Sequence, residues 1–417
     1  MSAHIATWLV SALSVGGVML RPFRTPEAVW AVAGAAILVV FGLITPGLAL
    51  AGIERGADVY LFLTGMMLLA EVARSEGLFD WLAALATSFA RGSPRRLFAL
   101  TYAVGTVVTV FLSNDATAVV LTPAVAAAAR AAGAQRPLPY LLICAFVANA
   151  ASFVLPISNP ANLVIYGSRM PPLLDWLPQY ALPSALAIAA TYALLHWTQR
   201  EALQQSIAAH VPLPRLSGGG KVAAAGIAAT AVVLLIASAL DRQLGLPTCA
   251  AGALTAAIVL MRRPSHTWQV VVEIPWAVLP LVAGLFVLVE ALAQTGAIAA
   301  LSAALREAAA HSIAATAWGS GIAVALGSNL ANNLPVGLIA GSALAADHAA
   351  EPVIRAVLIG VDLGPNLSVT GSLATILWLT ALRREGIAIG AGAFLRIGAI
   401  VMPPALLLAI ASALLLG

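Results

Sequence analysis

The sequence predicts an all-α polytopic membrane protein: an inverted repeat of about ten transmembrane helices, with two re-entrant hairpins and two broken helices. Three observations lead there. Apolar runs recur along all 417 residues, 61% of which are hydrophobic and 9% charged, with a mean hydropathy of +0.97; a soluble domain carries roughly 25% charged residues. The second half of the chain can be laid over the first. The arginines then distribute as though the second half were turned over in the bilayer. Crossing ~30 Å of hydrocarbon takes about 20 helical residues, and the runs lack the polar–apolar alternation of a β-barrel strand. A soluble enzyme is excluded, and the net charge of +4 points to no nucleic acid, because arginines in such a protein report orientation.

In chain order, Ile5–Leu20 has no basic region before it and no small-residue cleavage site after it, so it reads as a retained helix and not a signal peptide. Helices follow over 27–47 and 58–75. Region 97–130 is apolar but cut by Ser113, Asn114 and Asp115, and Arg91, Arg95 and Arg96 precede it while Arg130 and Arg136 follow it. Basic residues at both ends place both ends on the cytoplasmic side, which makes the segment a re-entrant hairpin with SND at its tip. A broken helix over 137–168 runs through 137–155 and resumes over 161–168, and a helix over 176–196 closes the first repeat, 1–210. "VPLPRLSGGGKV" (211–222), which holds the sole lysine, Lys221, supplies the linker 211–221. It is no phosphate loop: a Walker A motif needs Ser or Thr where Val222 stands and Gly where Arg215 stands. The second repeat, 222–417, has helices over 222–240, 247–261 and 276–296, a hairpin over 312–345 cut by "SNLANNLP", a broken helix over 352–380 divided between 370 and 371, and a last helix over 389–414.

The repeat rests on "GMMLLAEVARSEG" (65–77) lying over "GLFVLVEALAQTG" (284–296) at an offset of 219, which pairs Gly65 with Gly284, Glu71 with Glu290 and Gly77 with Gly296. At 218, Asn114 and Asp115 lie over Asn332 and Asn333; at 213, Asn149 lies over Asp362 and "SNPAN" (158–162) over "GSLAT" (371–375). Arg21, Arg24, Arg200, Arg215, Lys221, Arg262, Arg263, Arg383 and Arg384 share a side with the ends of the first hairpin. Arg55, Arg169, Arg242, Arg306 and Arg355 take the other, beside Glu54, Asp175, Asp241, Glu307 and Glu351. The second hairpin opens there. One hairpin from each face is the plan of inverted-repeat secondary transporters, whose binding site lies at the repeat interface near the midplane.

Irregular backbone at membrane depth survives only where protein or a wet cavity satisfies it. SND (113–115), "PISNPAN" (156–162), "ANNLP" (331–335) and "DLGPNLSVTGS" (362–372) have that character. Half-helix ends there can hold the oxygens and hydroxyls of a small substrate; the competing reading is that Asn and Ser only cap broken helices, with Asn149 and Pro160 in packing roles and Asn329 a cap. Asp115 and Asp362 are the carboxylates suited to take and release a proton, Asp115 the favoured one because Asp362 has the neutral Asn149 as its repeat partner, and each has an alternative as a cap. Glu71 and Glu290 read as structural, and the histidines at 4, 196, 210, 266, 311 and 348 as solvated. Cys144 and Cys249 suggest neither a disulfide framework nor a thiolate metal site, no cofactor is implied, and no HExxH or Ser–His pairing suggests an enzyme.

"SNDATAVVLTPAV" (113–125), "NLANNLPVGLIAG" (329–341), "GVDLGPNLSVTGSLATILWLTALRREG" (360–386) and "RSEGLFDWLA" (74–83) resemble the arsenite and antimonite efflux permeases, ArsB, of the ion transporter superfamily. The resemblance implies an elevator-type fold in the bacterial inner membrane, in which hairpins and broken helices move against a scaffold. It implies export of trivalent arsenic or antimony hydroxides in exchange for protons, with an optional soluble ATPase partner. The site it implies comprises Ser113, Asn114, Asp115, Asn159, Asn162, Asn332, Asn333, Gly371 and Ser372. Where the family leads one to expect a Pro and a basic or polar residue between GP and GS, "GPNLSVTGS" has neither a Pro nor a basic residue. A sodium/proton antiporter, or another anion transporter of the superfamily, is the alternative. A site without Arg or Lys disfavours a multivalent carboxylate or phosphate.

Overall fold

The computed structural model describes residues 2–22, 25–262, 267–346 and 348–416; Arg24, Arg263 and His266 lie outside them. The first half comprises α1 (Ala3–Leu20), α2 (Glu27–Val40), α3 (Pro46–Arg55), α4 (Ala57–Ser75), α5 (Leu78–Ala90), α6 (Pro94–Phe111), α7 (Thr122–Ala131, reached through a π-helical stretch Ala116–Leu121), α8 (Leu138–Ala150), α9 (Pro160–Tyr166) and α10 (Leu173–Thr198). In the second half α11 (Gly218–Ala239), α12 (Gly245–Leu260), α13 (Thr267–Glu273), α14 (Val278–Gln294), α15 (Ala297–His311), α16 (Ile313–Ala331), α17 (Asn333–Ala346), α18 (Glu351–Leu363), α19 (Leu373–Arg384) and α20 (Ala391–Leu415) follow in the same order. No strand occurs among the described residues.

Hydroxyls inside these apolar helices are satisfied locally. Thr109 Oγ1 donates to Gly105 O at 2.8 Å and Thr122 Oγ1 to Ala118 O at 2.7 Å, the back-bonding that lets Thr sit in a membrane helix. Among the described residues, five stretches are long and apolar enough to cross a membrane: α1, α11, Thr267–Gln294, α16 and α20. The α3–α4 pair, bent by 48°, makes a sixth. Several other apolar helices are shorter than 18 residues, because the hairpins and broken helices divide the length that a continuous span would use.

The expected helix 27–47 stops at Val40. Gly42 turns the chain at φ +65°, and Thr45 accepts from Leu48 N at 3.3 Å to begin α3 with Pro46 in its first turn. Helices α5 and α15, absent from the sequence reading, start at Gly77 (φ +75°) and Gly296 (φ +82°). Each leads to a hairpin arm capped by serine, Ser93 accepting from Arg96 N and Ser312 from Ala315 N. The linker ends earlier than expected, because Ser217 Oγ accepts from Gly220 N at 2.8 Å and caps α11. Within the glycine run a Cβ at Gly219 would stand 2.0 Å from a carboxylate oxygen of Glu76, whereas one at Gly218 would meet open space; that oxygen lies 3.0 Å from the Ser217 hydroxyl.

Packing exchanges elements between the halves. Helix α4 lies on α12, where a Cβ at Gly65 would come within 2.2 Å of Thr248 O, and α14 lies on α2, where one at Gly284 would come within 2.7 Å of the Ala31 carbonyl carbon. Close backbone approach through small residues is the means of association left to helices in lipid, where burying apolar surface gains nothing. Helices α16 and α18 cross in the same way, a Cβ at Gly360 falling 2.2 Å from Gly321 O.

Charged groups depart from the expected pairs in places. Arg55 reaches Glu290 at 2.5 Å instead of Glu54, Arg74 holds both Glu71 (2.5 Å) and Glu273, and Arg355 is buried in α18. His196, expected to be solvated, is half-buried because its ring packs against Phe98 and Tyr192.

Candidate functional site

The hairpin α6–α7 turns over Leu112–Asp115. Ser113 Oγ accepts from Ala116 N at 3.1 Å, so Ser113 and not Asp115 caps the returning arm. The arms are joined by Thr109 and Thr117, whose hydroxyls lie 2.8 Å apart. Asn114 is buried and its Oδ1 accepts from Asp115 N at 2.9 Å. Asp115 is partly exposed, and its carboxylate has no hydrogen-bond or ion-pair partner among the described residues.

The first broken helix, α8–α9, opens over 151–159. Ser158 Oγ donates to Val110 O at 3.0 Å, tying this break to the hairpin beside it. Asn159 caps α9, its Oδ1 accepting from Ala161 N at 3.0 Å, with Pro160 in the first turn where its missing N–H costs nothing. Asn162 Nδ2 closes the break by donating to Ser152 O at 2.9 Å.

At the second break, α18–α19, Asp362 ends α18 and is not an N-cap. It is 0% exposed, and its Oδ1 accepts from Asn159 Nδ2 at 2.7 Å. A second amide bridge joins the two breaks, Asn149 Nδ2 donating to Asn366 Oδ1 at 2.9 Å while Asn366 Nδ2 donates to Phe146 O at 3.0 Å. Ser372 caps α19, accepting from Thr375 N at 3.1 Å. A Cβ on Gly371 would lie 2.5 Å from Pro365 Cα, so only glycine fits there.

The second hairpin turns at Asn332, whose φ of +68° and ψ of 147° fall in a region that glycine alone favours. Its Oδ1 accepts from Leu334 N at 3.2 Å, and Asn333 N donates to Gly371 O at 2.9 Å, which docks this tip on the second break. Asn329 is a strap and not a helix cap: Nδ2 donates to Gly364 O at 2.9 Å, and Oδ1 accepts from Ser368 Oγ at 2.7 Å.

The breaks thus bond to each other, and each also bonds to a hairpin tip. Capping uses one oxygen from each of Ser113, Asn159, Asn332 and Ser372, but capping does not account for the whole set. The side-chain amide nitrogens of Asn332 and Asn333 have no protein partner among the described residues. Asn149 Oδ1, Asn162 Oδ1 and Asp362 Oδ2 are buried without a donor. No Lys or Arg hydrogen-bonds to this cluster among the described residues. Thr109, Thr117, Ser152, Asn366 and Ser368 join the site unannounced; of these, Thr117, Asn366 and Ser368 lay inside the quoted motifs, whereas Thr109 and Ser152 resemble any Thr or Ser of an apolar segment until the fold brings them in.

Comparison with known proteins bears on what such a cluster serves. The profile of the citrate transporter family CitMHS matches residues 15–360. The chain is similar to an arsenical pump membrane protein of Escherichia coli strain K12, at 27% identity over 91% of each chain. It is also similar to one of Yersinia enterocolitica, at 28% over 81% of each. Its fold is similar to that of the Alcanivorax borkumensis YdaH transporter, with a TM-score of 0.59, 13% identity and coverage of 88% of this chain and 86% of that one.

Proposed function

Because the chain belongs to the CitMHS citrate transporter family and is a multi-pass bacterial membrane transporter and not an enzyme, we propose that it exports trivalent arsenic and antimony hydroxides in exchange for protons. One observation carries this reading: four irregular segments gather Asn, Ser and Thr groups and two carboxylates, with no basic side chain among them. Citrate at neutral pH is a multivalent anion and would need matching positive charge in so dry a site. As(OH)₃ is neutral, and its hydroxyls suit the unpartnered amides of Asn332 and Asn333 and the Asp115 carboxylate. Thiol capture is not available, since Cys144 is buried and Cys249 stands alone on α12. A pump that must release its cargo gains from weaker hydroxyl recognition.

The burial of Asp362 supports a proton there. Its Oδ1 already accepts from Asn159 Nδ2, while Oδ2 is buried without a hydrogen-bond partner among the described residues. An ionised carboxylate with no cation beside it is costly to bury, so Asp362 is the favoured carrier, with Asp115 placed to exchange with substrate at the tip. The shared element order supports reading the two halves as inverted repeats whose hairpins and broken helices move together against the other helices. A soluble ATPase is an optional partner.

The test is arsenite accumulation in everted vesicles under an imposed pH gradient without ATP, with Asp115→Asn at matched abundance beside the parent. Proton-driven uptake that Asp115→Asn abolishes and citrate fails to compete supports the assignment. Absence of uptake by the parent, or dependence on sodium in place of protons, sinks it in favour of the sodium/proton antiporter reading.

A further inference from the structure

On the face of Arg55 and Glu290 a cavity of about 680 Å³ separates two walls. One is built by α3, the start of α4 and the end of α14; the other by α9 and α17. Each wall is tight within itself. A Cβ at Gly52 would lie 3.2 Å from Glu290 Cβ and 3.3 Å from Phe286 O, and a Cβ at Gly341 would lie 2.9 Å from Ile165 Cα and Val164 O. The Arg55–Glu290 pair, with Gln294 Nε2 donating to Glu290 Oε1 at 2.9 Å, braces the first wall. Across the gap, no hydrogen bond or ion pair joins α3, α4 or α14 to α9 or α17 among the described residues. The cavity therefore lies between two groups of helices that meet by packing, α14 on α17 and α4 on α9.

Its depth is informative. The lining runs down α17 from Ala346 to Leu338 and down α9 to Leu163, stopping five residues short of Asn333 and four short of Asn159. At ~1.5 Å per residue that leaves about one helical turn between the cavity floor and the polar cluster. The opposite side holds smaller spaces: a pocket of about 10 Å³ among α5, α6, α7 and α8 and one of about 210 Å³ between the end of α4 and α12–α13, with Arg130 of α7 tied to Glu385, just beyond α19, at 2.6 Å.

We propose that this cavity is the outward half of the transport path, a wet vestibule through which a small neutral hydroxide leaves and the exchanging proton enters, in a conformation open to the outer face. The proposal rests on the transport reading above for its cargo but not for its existence.

Thiol accessibility tests it. A Cys144→Ala, Cys249→Ala background receives single cysteines in place of Ser342 on α17, Ala293 on α14, or Ala129 on α7. Intact cells are then treated with a charged, membrane-impermeant methanethiosulfonate. The expected result is modification of Ser342→Cys and Ala293→Cys but not Ala129→Cys, with arsenite export stopped by modification of Ser342→Cys. Failure of both cavity cysteines to react in intact cells, or reaction only in everted vesicles, overturns the vestibule. Modification of both in a parent that moves no arsenite upholds the vestibule and removes the cargo.

Discussion

Replacing Asp362 with Asn separates proton coupling from folding. In the parent, Asp362 Oδ1 accepts from Asn159 Nδ2 at 2.7 Å while Oδ2 is buried without a donor. Asn has the same shape, keeps an oxygen for Asn159 and carries no charge, so it imitates the protonated acid permanently. One neutral hydrogen bond is exchanged for another, and the stability change should stay within about 1 kcal/mol. Asp362→Ala instead leaves Asn159 Nδ2 without an acceptor in a dry site, at a cost of about 1–3 kcal/mol before any cavity term. Two readings follow, thermal unfolding in detergent and transport in vesicles. Asp362→Asn should unfold like the parent, lose uptake driven by a pH gradient, and keep arsenite counterflow, which needs binding and movement but no net proton. The Ala variant should unfold earlier. Gradient-driven uptake by Asp362→Asn at the parent's rate would refute the assignment, and equal destabilisation of both variants would refute the role given to the Asn159–Asp362 hydrogen bond.

Other outcomes follow from the geometry. Asn332→Gly should relieve backbone strain of about 1–3 kcal/mol and raise the unfolding temperature while lowering arsenite affinity; a fall in both would show that the Asn332 side chain outweighs its conformation. Gly371→Ala, with its Cβ 2.5 Å from Pro365 Cα, should abolish transport by displacing the second break, and a fully active variant would mean that the break yields freely. Gly65→Ala and Gly284→Ala press on matched crossings at 2.2 Å and 2.7 Å. Each should cost about 1–3 kcal/mol, the first more than the second, and calorimetry in detergent that found neither destabilised would contradict the packing described.

Much of the fold was legible because the bilayer imposes so few solutions. Apolar length, the basic flanks of 97–130 and the offset of 219 are one-dimensional signals, and they led to two hairpins and two broken helices in their places. Helices α5 and α15 escaped because their sequences are too short to span and carry no mark except the glycines that start them. The polar motifs identified which segments lose helical geometry, since an Asn or Pro at membrane depth has little other use, and they drew attention to Asp115 and Asp362. The motifs favoured Asp115 over Asp362 as the proton carrier. Only the tertiary structure shifted the weight to Asp362, because enclosure depends on partners far apart in sequence: Asn159 of the first half bonds Asp362 of the second, which is fully buried, whereas Asp115 is partly exposed and has no such partner among the described residues. The cavity on the Arg55 face is likewise a property of how two groups of helices meet, which no local pattern encodes.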